Sequence, residues 1–180
     1  MAPGKTIYAV TGIAQSGQSA VVSALGAGGA RVADGLPRPE RGQRGRLQPL
    51  TPRDVDAVVG QVVKASPRQV VAIPDGRTVL VVFMRRDPAA VAAALETATE
   101  GRFGVNVQRR GRKPVEAVND RVVRALGMLQ DRPGVKVLDL SYEDVIVDPG
   151  GKLAEVAEFF GVDLDVDKAA AFIATADGDS

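Results

Sequence analysis

Cysteine and histidine are both missing from these 180 residues. Without cysteine there is no disulfide and no thiolate metal site. Without histidine the chain lacks the commonest metal ligand and the commonest general base near neutral pH, so no metal centre is expected. Aromatic residues make up only 4% of the chain, which gives little support to nucleic-acid binding by base stacking. Neither sign of charge is in excess. The net charge is +1, so the whole molecule has no strong pull toward nucleic acid or membrane. Long apolar runs are absent too, and none reaches the roughly 18 residues that a spanning helix needs. The opening MAPGKTIYAVTG has neither the apolar stretch nor the cleavage site of a secretory signal. A cytoplasmic location is the default expectation.

The remainder has an ordinary globular balance, 45% hydrophobic and 25% charged, and fits one domain over residues 1–176 followed by a polar tail, 177–180. Strands are expected at Lys5–Thr11, Arg31–Val32, Gln69–Ile73, Thr78–Met84 and Lys136–Leu140. Thr78–Met84 is continuously apolar, the pattern of a strand covered on both faces. Helices are expected from Gly17 to Leu25, from Pro52 onward, and over Pro88–Ala98, Val115–Leu129, Gly151–Phe160 and Val166–Thr175. Thr51 is a good N-cap, Pro52 suits the first helical position, and Val55, Val58, Val59, Val62 and Val63 recur at helical spacing. Ala33–Thr51 and Gly101–Lys113 read as loops. Alternation of strands and helices predicts an α/β fold of three layers, with a central, mostly parallel sheet and helices on both faces. Ligands of such sheets sit at the carboxyl ends of the strands.

Three segments carry candidate chemistry. Gly12-Ile13-Ala14-Gln15-Ser16-Gly17-Gln18-Ser19 follows a strand and opens a helix. It fits the phosphate-loop spacing G-x-x-x-x-G-K-[ST], except that Gln18 replaces the lysine. A helix N-terminus attracts phosphate through its free N–H groups even without that lysine. The bland alternative is a tight strand-to-helix turn. Arg85-Arg86-Asp87-Pro88 ends the central strand, where arginine suits phosphate binding; the alternative is a solvated pair with Asp87 capping the next helix. Ser141-Tyr142-Glu143-Asp144 through Pro149, with the helix ending Phe159-Phe160-Gly161, reads as scaffold.

Taken in this order, the three segments resemble the bacterial sulfotransferase-like P-loop proteins. That family carries S-G-L-P-R-S-G-T-S where this chain has TGIAQSGQS, and F-M-R-R-D-L-x-x-V where it has Phe83-Met84-Arg85-Arg86-Asp87-Pro88-Ala89-Ala90-Val91. A Y-E-D-[LV]-x-x-[DN]-P segment near the end is matched from Tyr142 to Pro149. The resemblance implies a domain that binds 3′-phosphoadenosine-5′-phosphosulfate (PAPS) or its product 3′-phosphoadenosine-5′-phosphate (PAP). Gln15, Ser16, Gly17, Gln18 and Ser19 would meet the 5′-phosphosulfate, and Arg86 the 3′-phosphate. Departures fall on functional positions. The loop's basic residue is Gln15, its threonine is Gln18, and the serine expected eight residues past Arg86 is Ala94. The family's acidic stretch is replaced by Gly42–Gln48. With no histidine, Asp34 and Glu40 are the base candidates nearest the substrate loop.

Three readings follow. The first is a catalytically degenerate, sulfotransferase-like pseudoenzyme that serves as a binding or structural subunit of a larger assembly. The second is an active sulfotransferase that transfers a sulfuryl group to a hydroxyl acceptor, with Arg85, Arg109 or Arg112 replacing the missing loop cation. The third is a P-loop domain that binds another nucleotide. Positive charge concentrates in Arg31–Arg53 and Arg102–Lys113. These loops are the expected surface for a protein partner or, peripherally, an anionic membrane.

Overall fold

The computed structural model describes residues 6–40, 47–98 and 102–177. Five strands, β1 (Thr6–Gly12), β2 (Val32–Ala33), β3 (Val62–Lys64), β4 (Thr78–Arg85) and β5 (Val135–Ser141), form one sheet in the order β2-β3-β1-β4-β5. Every pairing is parallel, as the strand–helix alternation predicts. Nine helices are described: α1 (Gln18–Ala27), α2 (Pro52–Asp56), α3 (Pro67–Val71), α4 (Pro88–Ala98), α5 (Arg102–Gln108), α6 (Pro114–Gln130), α7 (Tyr142–Val147), α8 (Pro149–Phe160) and α9 (Val166–Asp177).

Strand periodicity builds the layers. Along β4, Val79, Val81 and Phe83 point to one face and Leu80, Val82 and Met84 to the other. The first set packs with Val55 of α2, Val70 of α3 and Ala125 and Leu129 of α6. The second packs with Val21 and Leu25 of α1, Val145 of α7, Leu153 and Phe160 of α8 and Ile173 of α9. A strand buried on both faces must read as unbroken hydrophobics, and β4 does. Truncation of the fully buried Phe83 to alanine is expected to cost ~3–5 kcal/mol. A smaller cluster joins α4, α5 and α6 and takes in Ile13.

Three expectations need correction. Gln69–Ile73 is not a strand, because Pro67–Val71 is helical. Ser66 and Gln69 close a reciprocal capping box, and Pro67 occupies the first turn, so local capping overrides the β-branched composition. The valines from Val55 to Val63 do not share one helix. α2 ends at Asp56, and Val62 and Val63 enter β3, paired with Tyr8 and Ala9. There Val62 faces one core and Val63 the other; β-branched residues favour that outcome once a partner strand is present. Finally, Gly101–Lys113 holds helix α5, and Val107 is buried against α4 and α6. The predicted loop at Ala33–Thr51 contributes Ala33 to β2, and within it residues 41–46, including Arg41, Arg44 and Arg46, lie outside the described residues. Residues 178–180 of the polar tail do so too, while Asp177 ends α9.

Candidate functional site

The sheet changes direction of growth at β1: the chain passes to β2 and β3 on one flank, then crosses to β4 and β5 on the other. Loops leaving β1 diverge from their neighbours there, and a crevice opens at the carboxyl edge. A cleft of about 960 Å³ lies at this place. Its floor is the segment from Gly12 to Ala20. One flank carries Arg86 and Tyr142, and the other carries Lys64, Arg68 and the strip from Asp34 to Pro39.

The floor depends on two glycines. A side chain on Gly12 would come within 2.5 Å of the Met84 carbonyl oxygen, so the turn can lie against β4 only without a Cβ. Gly17 has φ 85° as the N-cap of α1, and a methyl there would land on the Tyr142 ring. Gln15 also has positive φ, 67°, a conformation uncommon outside glycine and found where surrounding structure enforces it. Two loop side chains turn inward. Ser16 Oγ donates to the Ile13 carbonyl at 2.8 Å, and Gln18 Nε2 donates to the same oxygen at 2.7 Å and to Ser16 Oγ at 3.3 Å. Ser16 and Gln18 are buried, whereas Gln15 and Ser19 are exposed. The first N–H groups of α1 have no intrahelical acceptor and present a partial positive charge to the cleft.

Lys64 is the residue that the sequence reading missed. It is the last residue of β3, beside β1, and its Nζ donates to Ser19 Oγ at 2.6 Å. An ammonium therefore stands over the start of α1, although the loop itself has no cation. Its only sequence signal is a lysine closing a short valine pair, and nothing local links that to a loop 45 residues earlier. Arg85, Arg109 and Arg112 do not fill this role. Arg85 Nε binds Asp139 Oδ1 at 2.6 Å, Arg112 is paired with Asp120, and none of the three lines the cleft.

Arg86 and the Tyr142 segment form one unit. The Arg86 guanidinium carbon lies 5.3 Å from the Tyr142 ring centroid, a cation–π distance, and the same ring covers Gly17. Next to it, Glu143 Oε1 accepts from the Asp87 N–H at 2.9 Å and its Oε2 accepts from Ser141 Oγ at 2.9 Å. Asp87 in turn accepts from the N–H groups of Ala89 and Ala90 in the first turn of α4. Burial acts to raise the Glu143 pKa. The Asp87 and Glu143 N–H groups, the Ser141 hydroxyl and the Arg86 charge outweigh it and leave that pKa below its ordinary value. The segment read as scaffold thus anchors Arg86 and roofs the loop. The two base candidates part company: Asp34 lines the cleft and Glu40 does not, its carbonyl instead accepting from the Gln48 N–H at 2.9 Å. Ala94 lies within α4, outside the cleft lining. Among the described residues no group of three or more acidic side chains is placed to hold a metal ion, and no helix is long and apolar enough to cross a membrane.

Residues 76–166, 91 of the 180, match the model of a sulfotransferase family. That range spans β4 and Arg86 through Tyr142 to α8, and the loop and Lys64 lie before it. The chain is also similar to the crystal structure of a sulfotransferase from Mycobacterium tuberculosis H37Rv, with TM-score 0.53 and 19% identity over 96% of this chain and 71% of that one. A sulfotransferase from Alicyclobacillus acidocaldarius gives TM-score 0.47 and 18% identity over 88% of this chain and 81% of that one. No curated protein matches the chain in sequence.

Proposed function

This chain belongs to the sulfotransferase family, and on that premise we propose that its cleft binds a 3′-phosphoadenosine nucleotide and delivers a sulfuryl group to a hydroxyl acceptor. The observation that carries the proposal is the Lys64–Ser19 contact at 2.6 Å. It restores a cation to the mouth of a phosphate loop whose own basic position is Gln15. The residues fit the nucleotide. Arg86, held by Tyr142 and lining the cleft, offers a fork to one phosphate. The N–H groups from Gly17 to Ser19, with Lys64, offer a second anion site at the helix terminus.

The donor, when bound, supplies the sulfuryl group on a phosphosulfate linkage. The chain's own part is to hold and to polarise. Lys64 and the first turn of α1 stabilise negative charge at the loop, where fixed donors need no reorganisation. Among the described residues Asp34 is the one carboxylate lining the cleft, and it takes the acceptor's proton in this reading. The test is a thermal melt of the full chain with PAP, beside ADP. PAP at a hundred times its dissociation constant adds ~2.7 kcal/mol of stability, roughly 5–11 °C for a chain of this size. Turnover from PAPS that vanishes in Arg86→Ala completes the case. No shift with PAP sinks it, and a shift with ADP alone assigns the loop to another nucleotide.

A second reading has its own support. Ser16 and Gln18 satisfy each other and the loop from within, as expected of a fold kept as a binding or structural subunit. A basic surface is available to it. Arg121 has a lowered pKa, first from burial and then from the charges of Arg124 and Arg110, and Arg109 and Arg110 of the Arg102–Lys113 segment are exposed. On this reading Arg109→Glu with Arg110→Glu weakens capture of an acidic partner, salt weakens it further, and the melting temperature holds. Capture indifferent to both changes rejects it.

A further inference from the structure

We propose that the β3 flank of the cleft is a second anion subsite, so that the acceptor carries an oxyanion of its own, such as a phosphate, sulfate or carboxylate. The inference rests on the donor reading above and names its substrate class. Arg86 stands at the end of β4, the loop continues β1, and Lys64 ends β3. These three account for two phosphate positions of a donor. Arg38 and Arg68 line the same cleft beyond β3 and are not needed for that task.

Both are exposed, and among the described residues neither has an ion-pair partner. Four arginines outside the cleft are paired with aspartates: Arg77 with Asp56, Arg85 with Asp139, Arg112 with Asp120 and Arg132 with Asp75. Arg38 and Arg68 keep their full charge on the concave surface. Among the described residues its lining holds four cations, Arg38, Lys64, Arg68 and Arg86, against one carboxylate, Asp34. A cleft lined mostly by one sign of charge concentrates ligands of the other, and guanidiniums favour oxyanions through forked contacts.

The flank is also held in place. Gln69 of α3 accepts through Oε1 from the Ser66 N–H and the Ser66 hydroxyl, both at 2.8 Å. Its Nε2 donates to the Leu36 and Pro37 carbonyls. One side chain thereby fastens the strip bearing Arg38 to the helix bearing Arg68, while Leu36 is buried in the core beneath. Fixed backbone under two long side chains reduces the ordering cost of a shared ligand.

The test is an NMR titration of the full chain with inorganic phosphate, run with PAP saturating and again without it, following the arginine Nε–Hε signals. The expected result is a saturable shift of the Arg38 and Arg68 signals in both runs. In Arg38→Gln with Arg68→Gln, phosphate affinity in the PAP-saturated chain falls at least about tenfold, the equivalent of ~1.4 kcal/mol, while PAP affinity stays within about twofold. Phosphate binding unchanged in the double variant, or shifts confined to Arg86 and the loop, overturns the subsite. A chain that ignores PAP but moves Arg38 and Arg68 with phosphate defeats the donor reading and retains the anion subsite.

Discussion

Replacing Lys64 by methionine keeps the length and apolar character of the side-chain stem and removes the ammonium that sits 2.6 Å from Ser19 Oγ. For a phosphate over the first turn of α1 in contact with that ammonium, a charge separation of ~4 Å is assumed. Two unit charges at this separation interact by ~1 kcal/mol in water and ~4 kcal/mol at an effective dielectric of 20. Lys64 is exposed, so solvent screening selects the lower part of the range, ~1–2 kcal/mol, or roughly 5–30-fold in PAP affinity. Stability should barely respond, because an exposed side chain away from the core contributes within about 0.5 kcal/mol. Titration calorimetry with PAP measures the first quantity and a melt the second. Lys64→Arg keeps the charge and should lose far less. PAP affinity within twofold of wild type in Lys64→Met would refute the reasoning, because the loop would then need no borrowed cation.

Gly17→Ala forces a side chain into φ 85° and onto the Tyr142 ring; a loss of ~2–4 kcal/mol is expected, with PAP binding abolished, and a normal melt would show that the loop relaxes freely. Thr11 Oγ1 is buried with no hydrogen-bond partner among the described residues, so Thr11→Val should raise stability by ~1 kcal/mol in urea melts, and a decrease would reveal an overlooked partner. Glu143 has a folded pKa below its unfolded value. Its stabilising contribution is therefore complete above the unfolded pKa, near 4.5, and is lost as pH falls through the lower folded value. Glu143→Gln should flatten that acid limb of the stability profile, and identical limbs for the two proteins would contradict the assignment.

The sequence by itself determined the architecture, since its signals for strands and turns are local. β4 announces itself by unbroken hydrophobics, β1 by its run of β-formers, and the Gly12–Ser19 segment by its place between strand and helix. Where local signals competed, contacts distant in sequence or short capping boxes settled the outcome. Val62 and Val63 have helical spacing yet lie beside Tyr8 and Ala9 in the sheet, and Ser66 and Gln69 close a helix over residues of strand-like composition. The motif residues Ser16, Gly17 and Arg86 were legible as residues of one cleft because their types and order resemble a phosphate-binding motif. Lys64 was not, nor were Arg38 and Arg68 as neighbours of a common cleft. A lysine at a strand end carries no mark of what it faces. Only the β3-β1-β4 order, with the crevice it opens, brings that ammonium to Ser19 and sets three further cations along the same cleft.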